Sequence, residues 1–149
     1  MELKTASSII SFARKLEEDG INFYEGLVKK FLQNGDIFLS FAGENRKNIT
    51  QVERAYYGVI SDALEGAFSF NLNTDSFVFD TALKETETIR HALNKAVDME
   101  KSTASFYLKA AEQSKSLLAD VPRAFALVAR KRSERVSKLL EIDKSIGKD

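Results

Sequence analysis

The sequence predicts an all-α fold, a four-helix bundle with one long crossover between its second and third helices. Three observations carry that expectation. Helix breakers are scarce, with one proline and seven glycines among 149 residues, while Ala, Leu, Glu and Lys, all strong helix formers, are plentiful. Apolar residues recur at helical spacing through four long segments. A pattern in the first of these returns in the third: Leu16-Glu17-Glu18-Asp19-Gly20-Ile21-Asn22-Phe23-Tyr24 reappears 83 positions later as Met99-Glu100-Lys101-Ser102-Thr103-Ala104-Ser105-Phe106-Tyr107. An apolar residue, Glu, six residues and Tyr recur in that order.

The first segment runs from about Ser7 to Gln33, with Ile9, Phe12, Leu16, Phe23, Leu27 and Phe31 on its apolar side, and stops at Asn34-Gly35. Asp36 is the expected N-cap of the second, which carries Phe38, Phe41, Ala42, Ile49, Val52, Tyr56, Val59 and Ala63 and ends near Gly66. Residues 66 to about 80 break the helical pattern: Phe68-Ser69-Phe70-Asn71-Leu72-Asn73 alternates, and Phe77-Val78-Phe79 follows a polar cluster. The phenylalanines argue against a freely solvated loop. A crossover packed along the bundle, letting helices two and three run parallel, is therefore expected, with a short edge strand as the alternative. The third helix starts between Asp80 and Thr88 and continues to about Gln113. Asp120 caps the fourth, with Pro122 in its first turn and Phe125, Val128, Val136, Leu139 and Ile142 as its stripe.

Composition bounds the function classes. With 44% hydrophobic residues the chain can bury a real core, so residues 1–149 read as a single domain. The 22 basic and 22 acidic side chains cancel and are interspersed, which argues against nucleic acid and against an anionic membrane surface as partners. Without cysteine there is no disulfide, thiolate metal site or redox thiol. The first ten residues lack the features of a signal peptide, and no apolar run approaches the roughly 20 residues that cross a bilayer. A cytoplasmic location is expected.

Polar residues interrupt every apolar stripe at mid-helix. Glu17 shares its stripe with Ala13, Gly20 and Tyr24, and Glu100 shares its own with Ala96, Thr103 and Tyr107. The second helix places Asn45 and Asn48 between Phe41 and Val52, and the fourth places Arg132 and Arg135 between Val128 and Leu139. Residues three apart share a face, so each pair points inward as a unit. A buried carboxylate must be neutralised, ion-paired or bound to metal. Glu44 and Glu134 stand one position off these stripes, about 100° round the helix, and would supply carboxylates to the centre only in a different register.

A bundle in which one helix of each half contributes a Glu and the other an i, i+3 pair is the layout of di-iron carboxylate proteins. Leu-Glu-Glu-Asp-Gly-x-x-Phe-Tyr at Leu16 to Tyr24, Met-Glu-Lys-x-x-x-x-Phe-Tyr at Met99 to Tyr107, and the crossover between the halves resemble the rubrerythrin-related branch of the ferritin-like superfamily. The resemblance implies a ferritin-like bundle over nearly the whole chain. It places Glu17, Asn45, Asn48, Glu100, Arg132 and Arg135 at the positions of the family's metal ligands, with Tyr24 and Tyr107 lining the site. In that family the second and fourth helices each carry Glu-x-x-His, and full members add a four-cysteine iron module, which has no counterpart here. Asn45-x-x-Asn48 and Arg132-x-x-Arg135 replace four of the six ligands.

That substitution changes the chemistry. Asn is a weak oxygen donor, and Arg is always protonated and cannot ligate. Two ferrous ions bring about four positive charges, which the family offsets with four carboxylates; here two glutamates face two arginines. A unit charge pair at 4 Å interacts by about 4 kcal/mol at an effective dielectric of 20, so the guanidinium groups repel iron strongly. A buried Glu–Arg network in place of the metal cluster is the expectation, with the asparagines filling the remaining hydrogen bonds and no cofactor. Iron in a remodelled di-iron site is the alternative.

The remaining candidates are weaker. His91, the only histidine, is nine residues before Glu100, about 13 Å along a helix, and cannot share a first shell with it. Arg130-Lys131-Arg132 with Arg135 points in several directions and is diluted by Glu134 and Glu141. No serine or threonine stands beside a His or Cys that would activate it. The leading functional expectation is a rubrerythrin-like bundle that has lost its di-iron centre and serves as a non-catalytic binding or structural protein, self-associating as a homo-oligomer (dimer), with an unknown protein as a further partner. A metal-dependent oxidoreductase of peroxidase or ferroxidase type is the alternative from another class. A bundle that binds a small anionic ligand between its arginines is the third.

Overall fold

The computed structural model describes residues 1–59, 70–115 and 120–146. Among them four long helices account for most of the chain: α1 (Ala6–Lys30), α2 (Gly35–Val59), α3 (Ile89–Gln113) and α4 (Asp120–Ile146). The fold is all-α apart from one small sheet. The expected end of the second helix near Gly66, with Ala63 and Phe68, lies outside the described residues.

Local chemistry sets the helix starts. Thr5 caps α1 reciprocally: its hydroxyl oxygen accepts from the Ser8 N–H at 3.1 Å, and the Ser8 oxygen accepts from the Thr5 N–H at 3.2 Å. The helix ends three residues before the expected Gln33, because Phe31 turns extended at φ −126° while its N–H still bonds Leu27. Asn34 then takes the left-handed conformation at φ 61°, to which Asn is better suited than most residues. The second helix therefore begins at Gly35. Asp36 is not its cap but sits within the first turn, where its charge still suits the helix dipole. At α3 the Thr88 side chain accepts from the His91 N–H at 3.1 Å, fixing the start at the late end of the expected window.

The connection between α2 and α3 is tied down along its described part. Leu72–Asn73 (β2) pairs antiparallel with Glu2–Leu3 (β1), so the short-strand alternative holds for two residues. A single 3-10 turn, Thr74–Phe77, follows. Phe70, Leu72 and Phe77 are buried, and Phe79 packs partly buried against the core, as their apolar character required. Farther on, Lys95 donates to the Ala82 carbonyl at 2.7 Å and pairs with Glu87 at 3.0 Å and Asp80 at 3.3 Å, while Lys30 donates to the Glu85 carbonyl at 2.8 Å.

The helices associate chiefly as two pairs, α1 with α2 and α3 with α4, and contacts of α2 with α4 and of α1 with α3 close the ring. Their apolar faces form two clusters. One gathers Ile9, Leu16, Tyr56, Phe106 and Phe125 around a trio in which the Phe12 ring lies 5.1 Å from Phe106 and 6.4 Å from Phe77. The other gathers Tyr24, Leu27, Phe38, Leu93, Met99 and Leu139. Polar residues stand between the two clusters on every helix: Glu17 on α1, Asn45 and Asn48 on α2, Glu100 and Thr103 on α3, and Arg132 and Arg135 on α4. No helix among the described residues is long and apolar enough to cross a membrane.

Candidate functional site

The polar residues between the clusters meet in a single buried layer. Each helix reaches it at mid-length, between the two apolar clusters. Glu17, Asn45, Asn48, Glu100 and Arg132 are 0% exposed and Arg135 is 1% exposed. All six residues singled out from the sequence as site positions are thus brought together, and Tyr24 and Tyr107, both fully buried, join them.

Arg132 stands at the centre. Its Nη1 donates to Glu100 Oε1 at 2.9 Å and to Asn45 Oδ1 at 3.3 Å, and its Nη2 lies 3.2 Å from Glu17 Oε2. Asn48 donates to Glu17 Oε1 at 2.8 Å, and Asn45 Nδ2 donates to the Glu17 main-chain carbonyl at 3.3 Å. Glu100 Oε1 accepts two further bonds, from Arg135 Nη1 at 3.2 Å and from the Tyr24 hydroxyl. The Tyr of the first repeat thereby bonds the Glu of the second.

Gly20 makes room for this arrangement. A Cβ at that position would come within 2.2 Å of Asn45 Nδ2 and 3.3 Å of Arg132 Nη2. The stripe Glu17, Gly20, Tyr24 therefore has a glycine where a guanidinium and an amide approach the helix.

Glu44 requires a correction. The inward register is the one read from the sequence, yet Glu44 does supply a carboxylate to the network. Its Oε1 accepts from Arg135 Nη2 at 2.9 Å and Nε at 3.2 Å, while the Glu44 side chain remains 37% exposed. Position on the helix fixes where the Cβ points, but a long guanidinium reaches outward beyond that stripe. Arg135 also donates to the Phe41 carbonyl at 3.2 Å and packs its guanidinium 4.9 Å from the Phe41 ring centroid and 5.8 Å from that of Tyr24. The layer is then an alternating chain, Glu44, Arg135, Glu100, Arg132, Glu17, running from the surface into the core.

Burial governs the protonation chemistry. It raises the Glu17 carboxyl above its ordinary value, against the opposing pull of Arg132 and Asn48. For Arg132 burial alone would favour loss of the proton, but Glu100 and Glu17 outweigh it and the pKa is raised. Burial, followed by the neighbouring carboxylates, lifts Tyr24 and Tyr107 well above the ordinary phenol value, Glu100 acting on the first and Glu17 on the second. Both tyrosines are protonated at neutral pH.

The other sequence candidates lie elsewhere. His91 is exposed in the first turn of α3. Arg130 and Glu134 are exposed and pair loosely with each other at 3.9 Å on α4. Among the described residues no group of three or more His, Cys, Asp or Glu side chains converges as metal ligands would. No protein-family model, curated protein or solved structure matches this chain.

Proposed function

We propose that the chain is a ferritin-like bundle of the rubrerythrin-related branch in which a buried ion-pair network has replaced the di-iron centre, and that it acts as a non-catalytic binding or structural protein. The observation that carries this reading is the Arg132 guanidinium seated between Glu17 and Glu100, at 3.2 and 2.9 Å, with all three side chains fully buried. These are the two glutamates that the family resemblance assigns to metal. An obligate cation now occupies the space between them. The residues present do not fit a pair of ferrous ions: two of the six positions are guanidinium groups, two are amides, and one oxygen of each glutamate faces a guanidinium nitrogen.

The partition of the core supports the ferritin-like topology. One apolar cluster joins the N-terminal halves of α1 and α4 to the C-terminal halves of α2 and α3, and the other joins the opposite halves. Helices α2 and α3 then run parallel, as a crossover between them requires. Both arginines are already held by carboxylates, which weighs against an anionic ligand between them.

The reading is tested by adding ferrous iron and peroxide to the purified protein and following peroxide consumption and iron oxidation. The expected result is no turnover above that of free iron. Turnover that disappears in Glu100→Ala would favour the oxidoreductase reading instead.

A further inference from the structure

Seven buried side-chain atoms among the described residues find no hydrogen-bonding partner in the protein, and all seven lie in this one layer. They are Glu17 Oε2, Asn48 Oδ1, Glu100 Oε2, Thr103 Oγ1, Tyr107 Oη, and Nε and Nη2 of Arg132. Six residues from all four helices contribute them, and each of the six is 0% exposed. Such groups almost always have partners in folded proteins, and leaving one unmet costs about 1–3 kcal/mol. Glu17 Oε2 and Arg132 Nη2 attract one another as an ion pair at 3.2 Å without the alignment of a hydrogen bond. The Tyr107 hydroxyl likewise stands within electrostatic reach of the Glu17 carboxylate without an aligned hydrogen bond.

The chemistry of the set selects the ligand. Glu100 Oε2, Glu17 Oε2 in the ionised carboxylate, and the Asn48 oxygen, whose assignment follows from Asn48 Nδ2 donating to Glu17, only accept. The two Arg132 nitrogens only donate, and the Thr103 and Tyr107 hydroxyls do either. A cation meets a guanidinium there, an anion meets two carboxylate oxygens, and an apolar guest satisfies nothing. A small neutral molecule that both donates and accepts meets every requirement.

We propose that this layer is an internal water site, in which tightly held water bridges Arg132 Nε, Thr103 and Tyr107 to the free oxygens of Glu17, Glu100 and Asn48. The inference deepens the metal-free reading of the same site and rests on it. Such water exchanges slowly. A crevice beside Tyr107, lined by Ile10, Ala13, Ile49, Val52 and the ion-paired Arg14 and Glu53, is too tight to hold a water molecule. Passage by that crevice needs the helices to part, and a water held by several fully buried groups stays far longer than surface water.

The test is nuclear magnetic resonance on the full chain, with metal content measured on the same sample. A water-selective rotating-frame Overhauser spectrum of the wild type should show a cross-peak between water and Arg132 Hε, with the sign of a long-lived complex. Oxygen-17 relaxation dispersion should show a long-lived component that shrinks in Thr103→Val and is unmoved by added formate. No cross-peak at Arg132 Hε, with dispersion equal in wild type and Thr103→Val, would overturn the water site and leave the metal-free reading standing. Displacement of the long-lived component by formate would assign the site to an anion and overturn the proposal. Stoichiometric iron in the sample would overturn the metal-free reading itself.

Discussion

Arg132 Nη1 stands 2.9 Å from Glu100 Oε1, and neither side chain has any exposure to solvent. The pair joins α4 to α3, and the same guanidinium reaches Glu17 on α1 at 3.2 Å and Asn45 on α2 at 3.3 Å. One cation thus links all four helices. A charge in that position is worth most when its partners are present and most costly when one is removed.

Arg132→Met keeps much of the side-chain volume and removes the charge, leaving Glu17 without its cation and Glu100 with Arg135 alone. Such truncation of a buried ion pair costs about 3–5 kcal/mol. Urea denaturation should show a loss of that size. An unchanged midpoint would mean that the network does not hold the bundle together.

The two glutamates should respond unequally. Glu100 Oε1 takes bonds from Arg132, Arg135 and Tyr24 and separates two like charges, so Glu100→Gln should cost about 3–5 kcal/mol. Glu17 ends the alternating chain, and burial already disfavours its ionised form, so Glu17→Gln should cost only about 1 kcal/mol, the scale of a single exchanged hydrogen bond. Equal losses in the two variants would contradict the alternating arrangement.

Because the folded-state pKa of Glu17 lies above its ordinary value of 4.5, the native protein binds more protons than the unfolded chain between those two values. The contribution of Glu17 to stability is complete below 4.5 and is lost as pH rises through the folded-state value. Denaturation of wild type and Glu17→Gln across pH 4 to 8 should show the wild type losing ground as pH rises. A difference that is flat, or that grows with pH, would refute the assignment.

Gly20→Ala tests the close approach at α1. Helix propensity alone favours alanine by about 1 kcal/mol. The new methyl, however, would stand 2.2 Å from Asn45 Nδ2, and Asn45 can withdraw only by giving up its bonds to Glu17 and Arg132. A net loss of about 1–3 kcal/mol is expected, the usual scale of overpacking. A more stable Gly20→Ala would show that the layer has slack.

Much of this was legible in the sequence, and the reasons are physical. The four helices announce themselves because a stripe such as Ile9, Leu16, Phe23 and Leu27 has no other use than burial. The six polar positions stand out because each interrupts such a stripe. The end of α1 is not legible in the periodicity, because Phe31 continues the apolar pattern although its backbone is already extended. Pairing of Leu72–Asn73 with Glu2–Leu3 spans two residues on each strand, too few to leave a periodic signal. Glu44 does not stand out in the sequence because helical spacing describes where a side chain starts, whereas Arg135 reaches it from across the bundle. Thr103 sat in the stripe between Glu100 and Tyr107, and its unmet hydroxyl was visible only once its surroundings were known.

The proposal turns on whether Arg132 and Arg135, paired with Glu17, Glu100 and Glu44, stand in place of a metal centre. The direct measurement is elemental analysis for iron, manganese and zinc on protein expressed with excess iron and purified without chelator. The account predicts far less than one metal ion per chain, unchanged in Glu17→Ala. About two metal ions per chain, lost in Glu17→Ala, would contradict it.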